Sequence, residues 1–353
     1  MIVLYFGTYD ASYSRNRVMI KALRSQGIEI RECHETYRGA LTWLRLAWKF
    51  MRMKKDFDLV IVGFSGPKDL LLARMLTRKP IVFDALISQY LTYVHDRDYV
   101  RPHSLGARWY RFLDTLTYKL ADLVLLDTQA HIGYFARELG LSASKLRQVW
   151  VGTVTDVFYP RQEQKNNSTF LVHFHGHYIP LQGVEYIIRA AKLLEHENIE
   201  FQLIGKGQTL KRTKQLAIQL GVKNVSFLQK VKYEELPDLM SRADICLGIF
   251  GDEIKTELVI PNKVFEALAM AKPVITADTS AVRELLTDRE SILLCKKADE
   301  RDLANKIMTL RDNPDLRARI ANSGYDVFIR QASEEHIGRN LRTIFLDVLK
   351  NKV

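Results

Sequence analysis

The stretch Ile260-Pro261-Asn262-Lys263-Val264-Phe265-Glu266-Ala267-Leu268-Ala269-Met270-Ala271-Lys272-Pro273-Val274-Ile275 decides how the chain is read. Its pattern predicts a short loop, a helix opening at Pro261, a turn and a buried strand. Proline suits the first helical position because the N–H it lacks would have no helical partner. Val264, Leu268 and Ala271 recur at helical spacing and face a core. Lys272-Pro273 stops the helix, and Val274-Ile275-Thr276 begins the strand. Lys263 and Glu266, three apart, share one helix face. No good side-chain cap precedes the proline. N–H groups and the positive end of the helix dipole are thus left open to an anion. A cation, a bare N-terminus and a carboxylate one turn further in can hold a phosphate and a sugar hydroxyl together. An ordinary helix with surface charges has the same pattern, so the decision passes to the rest of the chain.

Strands and helices alternate around that stretch. Before it come strands Phe170–Phe174, Ile199–Ile204, Val225–Leu228 and Ile245–Ile249, separated by helices Val184–Leu194, Leu210–Leu220 and Glu234–Ser241. After it come helix Ser280–Leu286, strand Ser291–Cys295 and two long helices, Glu300–Asp312 and Glu334–Leu349. The first half has its own series: strands Ile2–Phe6, Ile28–Arg31, Asp58–Gly63, Pro80–Asp84 and Leu123–Asp127, with helices between them. The expected fold class is α/β, with two Rossmann-like doubly wound domains facing a cleft. The expected division is residues 1–158, residues 159–333, and a C-terminal helix, 334–353, packing back toward the first domain. The linker is Thr153–Thr169, with Pro160, the charged run Arg161–Lys165 and the polar Asn166-Asn167-Ser168-Thr169. Ligands of such sheets sit at the carboxyl ends of strands, where Gly7, Ser65 and Asp84 lie.

At 353 residues, 47% hydrophobic and 26% charged, the composition is that of a soluble globular protein with room for two domains. Cys33, Cys246 and Cys295 show no metal-ligand spacing and fit reduced thiols in a cytoplasm. The N-terminus reads as a first buried strand, not a signal peptide. No apolar run approaches the roughly 20 residues of a membrane span. The net charge of +11 is uneven: residues 1–158 hold 23 Lys and Arg against 15 Asp and Glu, and the remainder 29 against 26. An anionic partner is expected on the first half. A helix over Arg38–Lys55 sharpens this. Arg38, Arg45, Lys49 and Arg52 fall in one narrow stripe, and Leu41, Trp43, Leu44, Leu46, Trp48, Phe50 and Met51 fill a broad arc opposite. Part of that arc covers the sheet; the rest suits an anionic membrane surface. A core helix with a solvated basic edge is the alternative. Nucleic acid is not expected, because the aromatics lie on the apolar side rather than among the cations.

The ordered series resembles the retaining glycosyltransferases of family 4, which have the GT-B fold. The resemblance runs through Ala121–Thr128, the linker Val151–Pro160, the glycine loop Gly176 to Glu185, Ile204-Gly205-Lys206-Gly207, Asn224–Leu228, Ala243-Asp244-Ile245 and the opening stretch. It implies transfer from a nucleotide sugar with retention, without a metal or a cofactor beyond the donor, to a saccharide or lipid-linked saccharide acceptor in cell-surface glycan synthesis. By this resemblance Glu266 is the second glutamate of the E-x7-E motif and holds ribose hydroxyls. Gly176 lets backbone approach the diphosphate, and Val231 lies where the base is read. Pro261, Asn262, Lys263 and Val264 line the helix start. Asp84 stands where many members carry an active-site histidine. The sequence departs from the family at three places. Leu258 replaces the first glutamate of the motif, with Glu257 one residue out of register. Gln182 and His177 replace the usual phosphate-binding lysine and arginine, which shifts the diphosphate's charge to Lys263 and, secondarily, Lys206. Asp84 replaces the histidine. Asp84 and Glu257 are therefore the catalytic candidates, and the protein is expected to be cytoplasmic and peripheral at the inner face of the membrane.

Other readings compete. His173 and His175, two apart on a strand, share a face and could open a metal site, but no further ligands accompany them. Asp96-Arg97-Asp98 and Asp56-Phe57-Asp58 are Asp-x-Asp pairs, one in a charged loop and the other just before a strand. A catalytically inactive binding module of the same fold would also suit the missing glutamate and lysine, and a nucleotide-sugar epimerase on the same fold is a third reading.

Overall fold

The computed structural model describes residues 1–36, 39, 41–64, 66–86, 88–140, 142–161 and 169–350. Arg38, Ser65 and the linker residues 162–168, with its Asn-x-Ser/Thr pattern, lie outside the described residues. The chain divides into two compact units, Met1–Val154 with Ser333–Val353, and Thr155–Ala332. The first crossing is four residues earlier than the expected boundary at 158. Phe158 is buried and meets Tyr233 edge-on, and Arg161 pairs with Asp238, so these residues pack on the second unit.

The first unit holds β1 (Ile2–Gly7), α1 (Ser14–Ser25), β2 (Glu29–His34), α2 (Thr42–Arg52), β3 (Leu59–Val62), α3 (Pro67–Leu76), β4 (Ile81–Asp84), α4 (Leu105–Leu120), β5 (Leu123–Leu126), α5 (Gln129–Leu139) and β6 (Leu146–Gln148). Its six strands are all parallel, in the order β2-β1-β3-β4-β5-β6. β3, β4 and β5 are apolar runs buried on both faces, apart from Asp84, as helices on either side of a parallel sheet require.

The second unit holds β7 (Phe170–His177), α6 (Val184–Leu193), β8 (Ile199–Lys206), α7 (Leu210–Gln219), β9 (Val225–Leu228), α8 (Leu236–Ser241), β10 (Ile245–Leu247), α9 (Asn262–Ala269), β11 (Val274–Ala277), α10 (Ser280–Arg283), β12 (Leu293–Cys295), α11 (Glu300–Asp312) and α12 (Pro314–Val327). Its strands are again all parallel, in the order β12-β11-β10-β7-β8-β9. The chain starts at β7 in the middle, winds outward to β9, then returns to β10 on the other side. That reversal between β7 and β10 is where an open α/β sheet leaves a crevice for a ligand. Each unit is thus a doubly wound, Rossmann-like domain.

The last helix, α13 (Glu334–Lys350), belongs to the first unit and lies along α1. Close approach sets its sequence: a Cβ at Gly338 would collide with the Ala22 carbonyl. Lys21 and Glu334 add an ion pair of 2.8 Å.

The amphipathic helix is shorter than Arg38–Lys55. It begins at Thr42, whose hydroxyl and Gly39 exchange hydrogen bonds of 2.7 and 2.9 Å, and stops at Arg52, where Met53 is extended. Leu46 and Phe50 are buried, whereas Trp43, Leu44, Trp48 and Met51 are exposed. Lys49 is not free on the basic stripe: it reaches His34 O (2.9 Å) and Glu35 (3.0 Å). Among the described residues no helix is long and apolar enough to cross a membrane. The three cysteines are buried and unpaired.

Candidate functional site

The opening stretch folds into α9 and β11, but Pro261 is the residue before the helix rather than its first position. Its backbone is extended (φ −73°, ψ 154°), and its carbonyl accepts the Val264 N–H at 3.0 Å. That bond closes the first turn without a side-chain cap. Val264 gives its N–H to that carbonyl, and its side chain is fully buried in the core. Pro261 and Asn262 remain half-buried at the helix start.

Lys263 and Glu266 point from this helix toward the carboxyl end of β7. Both are buried. The Lys263 ammonium donates to Gln182 Oε1 and lies 3.7 Å from the centre of the Phe174 ring. Gly176 is required beside it. Its φ is +155°, and a Cβ there would stand 2.7 Å from Lys263 Nζ. Burial pushes the Lys263 pKa well below its ordinary value, and the Glu266 charge offsets this only in part. A desolvated cation of this kind gains when an anion arrives.

Glu266 is held from the other side. Its Oε2 lies 2.7 Å from His175 Nε2, His175 Nδ1 lies 3.0 Å from His173 Nε2, and His173 Nδ1 lies 2.9 Å from Gln202 Oε1. Among the described residues no hydrogen bond reaches Glu266 Oε1. The two histidines are therefore tied to a glutamate and a glutamine instead of converging on an ion. No group of three or more His, Cys, Asp or Glu that could hold a metal is present among the described residues. The arrangement offers an acceptor oxygen for a hydroxyl, a cation for an anion, and a glycine that lets backbone come close.

The other expected residues are placed differently. Gln182 is buried and serves Lys263. Lys206 is exposed at the end of β8, Val231 is half-buried after β9, and His177 is exposed at the end of β7. Asp84 ends β4 and faces Arg15. Arg15 Nε and Nη2 hold both of its oxygens at 2.9–3.2 Å, and Arg15 Nη1 reaches the carbonyls of Val149 (3.3 Å) and Trp150 (2.7 Å). Both side chains are fully buried. The Asp84 carboxylate thus neutralises a buried arginine. Glu257 sits on a short turn, where Lys297 Nζ (2.9 Å) and the Ser280 N–H (3.3 Å) engage it. Of the Asp-x-Asp pairs, Asp56 pairs with Arg31 and Asp58 accepts the Ile2 N–H at 2.7 Å.

The sequence comparisons bear on the second unit. Residues 158–327 match the family described as Glycosyl transferases group 1. That match spans most of the unit that carries Lys263 and Glu266. An uncharacterized glycosyltransferase, MJ1178, of Methanocaldococcus jannaschii is 25% identical over 179 residues, 49% of this chain and 46% of its own length. The putative colanic acid biosynthesis glycosyl transferase WcaI of Escherichia coli is 30% identical over 109 residues, 31% of this chain and 26% of its own. The chain spans about half or less of the length of the curated relatives it matches. Among solved structures, sucrose-phosphate synthase from Thermosynechococcus elongatus superposes with a TM-score of 0.78 at 15% identity, covering 99% of each chain. Anabaena Alr3699/HepE in complex with UDP gives 0.72 at 17% identity, covering 98% of this chain and 100% of its own. At such identities the likeness is one of fold, the GT-B type with two Rossmann-like domains.

Proposed function

We propose that this protein is a glycosyltransferase. It moves a sugar from a nucleotide sugar, with retention, to a saccharide or lipid-linked saccharide acceptor in cell-surface glycan synthesis. The observation that carries the reading is the Lys263–Glu266 turn of α9 beside Gly176, at the reversal of a sheet whose sequence matches glycosyl transferases group 1. In this reading Glu266 Oε1 accepts from the donor's ribose. Lys263 leaves Gln182 for the diphosphate, whose departure it stabilises in the transition state. Gln182 holds the ammonium until the donor arrives, and Lys206 contributes from the rim. Val231 faces the base through its backbone. Glu257, held by Lys297, supports the donor sugar. No cofactor beyond the donor takes part, and the first unit binds the acceptor. Anabaena HepE was solved with UDP and with UDP-glucose, so a uridine diphosphate sugar is the first donor to try. The names of relatives point to colanic acid and lipopolysaccharide core as acceptor classes. The test is incubation of the purified chain with UDP-sugars and a saccharide acceptor, followed by NMR of the product. An axial donor bond retained in the product supports the reading, and an inverted one overturns retention. Isomerised donor without transfer would indicate an epimerase.

We also propose that α2 docks on an anionic membrane at the cytoplasmic face. Trp43, Leu44, Trp48 and Met51 are exposed beside Arg45 and Arg52, and Arg52 lies 4.5 Å above the Trp48 ring. Replacing Arg45, Arg52 and Trp48 together should abolish sedimentation with phosphatidylglycerol vesicles. Unchanged sedimentation would remove this part of the proposal.

A further inference from the structure

The hydrogen bonds of His173 and His175 run in one line from β8, across β7, to Glu266 on α9. We propose that His175, backed by His173 and Gln202, is a positioning relay that aims the Glu266 carboxylate at the ribose hydroxyls of the donor. The proposal rests on the donor-site reading above and names the groups that make that site work.

The relay follows from strand geometry. Residues two apart on a strand share a face, which places both imidazoles on one side of β7. The β7–β8 register sets Gln202 directly opposite His173. Contacts of 2.9, 3.0 and 2.7 Å then join the four side chains in order. Polar groups buried this deeply cost stability unless every one is paired, and an apolar pair would fill the same space without that cost. Val172 and Phe174 on the opposite face of the same strand are the apolar solution.

The proton inventory gives the line a direction. His173 Nδ1 faces a carbonyl oxygen and therefore donates. Burial, and then the neighbouring His175, push the His173 pKa down to about 3, so the ring is neutral and its Nε2 accepts. Lys263 and Lys272 add positive charge in the same sense. His175 Nδ1 must then be the donor to His173. His175 Nε2 stands 2.7 Å from Glu266 Oε2. Oε2 is consumed and the carboxylate cannot rotate, which presents Oε1 in one direction.

Three variants test this: His175→Leu, His175→Gln and Gln202→Leu, with thermal melts to establish folding. Glutamine keeps a donor at the reach of Nε2; leucine keeps the bulk alone. The readout is the ratio of affinities for UDP and 2′,3′-dideoxy-UDP by calorimetry. The relay predicts that His175→Leu lowers this ratio about tenfold, with affinity for the dideoxy compound little changed. His175→Gln should restore most of the ratio, and Gln202→Leu should lower it by about threefold, since it acts two bonds away. Equal ratios in the leucine and glutamine variants would overturn the relay, as would parallel losses for both nucleotides. A wild-type chain that binds neither nucleotide would overturn the donor-site reading instead. For that outcome, 15N spectra of the imidazoles without ligand decide the relay on their own. Glu266→Gln should shift His175 strongly and His173 less, and unshifted resonances would refute the connection.

Discussion

Two buried acid–base arrangements stand at the carboxyl ends of the two sheets. In the first unit Asp84 has both oxygens held by Arg15, and Arg15 is held in turn by two backbone carbonyls. In the second, Glu266 has one oxygen held by His175, and Lys263 rests on a glutamine amide and an aromatic face. The first is saturated and the second is not. A saturated pair returns the desolvation of its charges as structure, whereas an incomplete one leaves that capacity for a ligand. Position at a strand end is therefore insufficient to identify a site. Free hydrogen-bonding capacity at that position is the better guide.

The largest test of this contrast is Arg15→Met. It strands a buried carboxylate and should cost about 3–5 kcal/mol in chemical denaturation. A loss under about 1 kcal/mol would show that the pair is not the anchor described. Lys263→Met should do the opposite: diphosphate affinity falls about 10- to 100-fold, while stability holds or rises by about 1 kcal/mol, because a desolvated cation is gone. A Lys263 variant that unfolds the protein without touching affinity would erase the distinction between the two arrangements. Lys263→Ala should also cost more affinity than Gln182→Ala, and the reverse order would move the diphosphate elsewhere.

Proton linkage provides finer tests. The free-state pKa of Lys263 is lowered by burial, and a bound diphosphate raises it again. Nucleotide binding should therefore take up a proton between the lowered value and the ordinary 10.5. Calorimetry in buffers of different ionisation enthalpy should show this in the wild type and not in Lys263→Met. A test confined to acid pH concerns His173, whose pKa in the folded chain is about 3 against an ordinary 6.5. The unfolded chain takes the proton first, so this group's stabilisation is complete above about pH 6.5. It is lost as pH falls toward 3, by about 1.4 kcal/mol per pH unit. His173→Leu should flatten that part of the acid-denaturation profile.

Much of the fold was legible because alternating apolar runs and helical spacing are local signals. Helix Glu300–Asp312 and strand Val225–Leu228 coincide with their sequence-based bounds. The displacement of Pro261 to the position before the helix was not legible, since it depends on the carbonyl that Val264 uses. The place of Asp84 at a strand end was legible, whereas its partner Arg15 is 69 residues away. No sequence spacing reports such a contact. The histidine relay had a visible half: His173 and His175 alternate on a strand next to the glycine. The other half, Gln202 and Glu266, comes from 29 and 91 residues further along the chain. The helix over Thr42–Arg52 was legible in its sidedness, yet the sequence did not reveal that Lys49 turns inward to Glu35.

The central claim is that the Glu266 turn of α9 holds the nucleotide. It is tested most directly by titrating Glu266→Ala and the wild type with the nucleoside diphosphate that most raises the wild-type melting temperature. Affinity should fall about 10- to 100-fold in the variant, from a charge-assisted hydrogen bond no longer made. Equal affinity in the two proteins would contradict it.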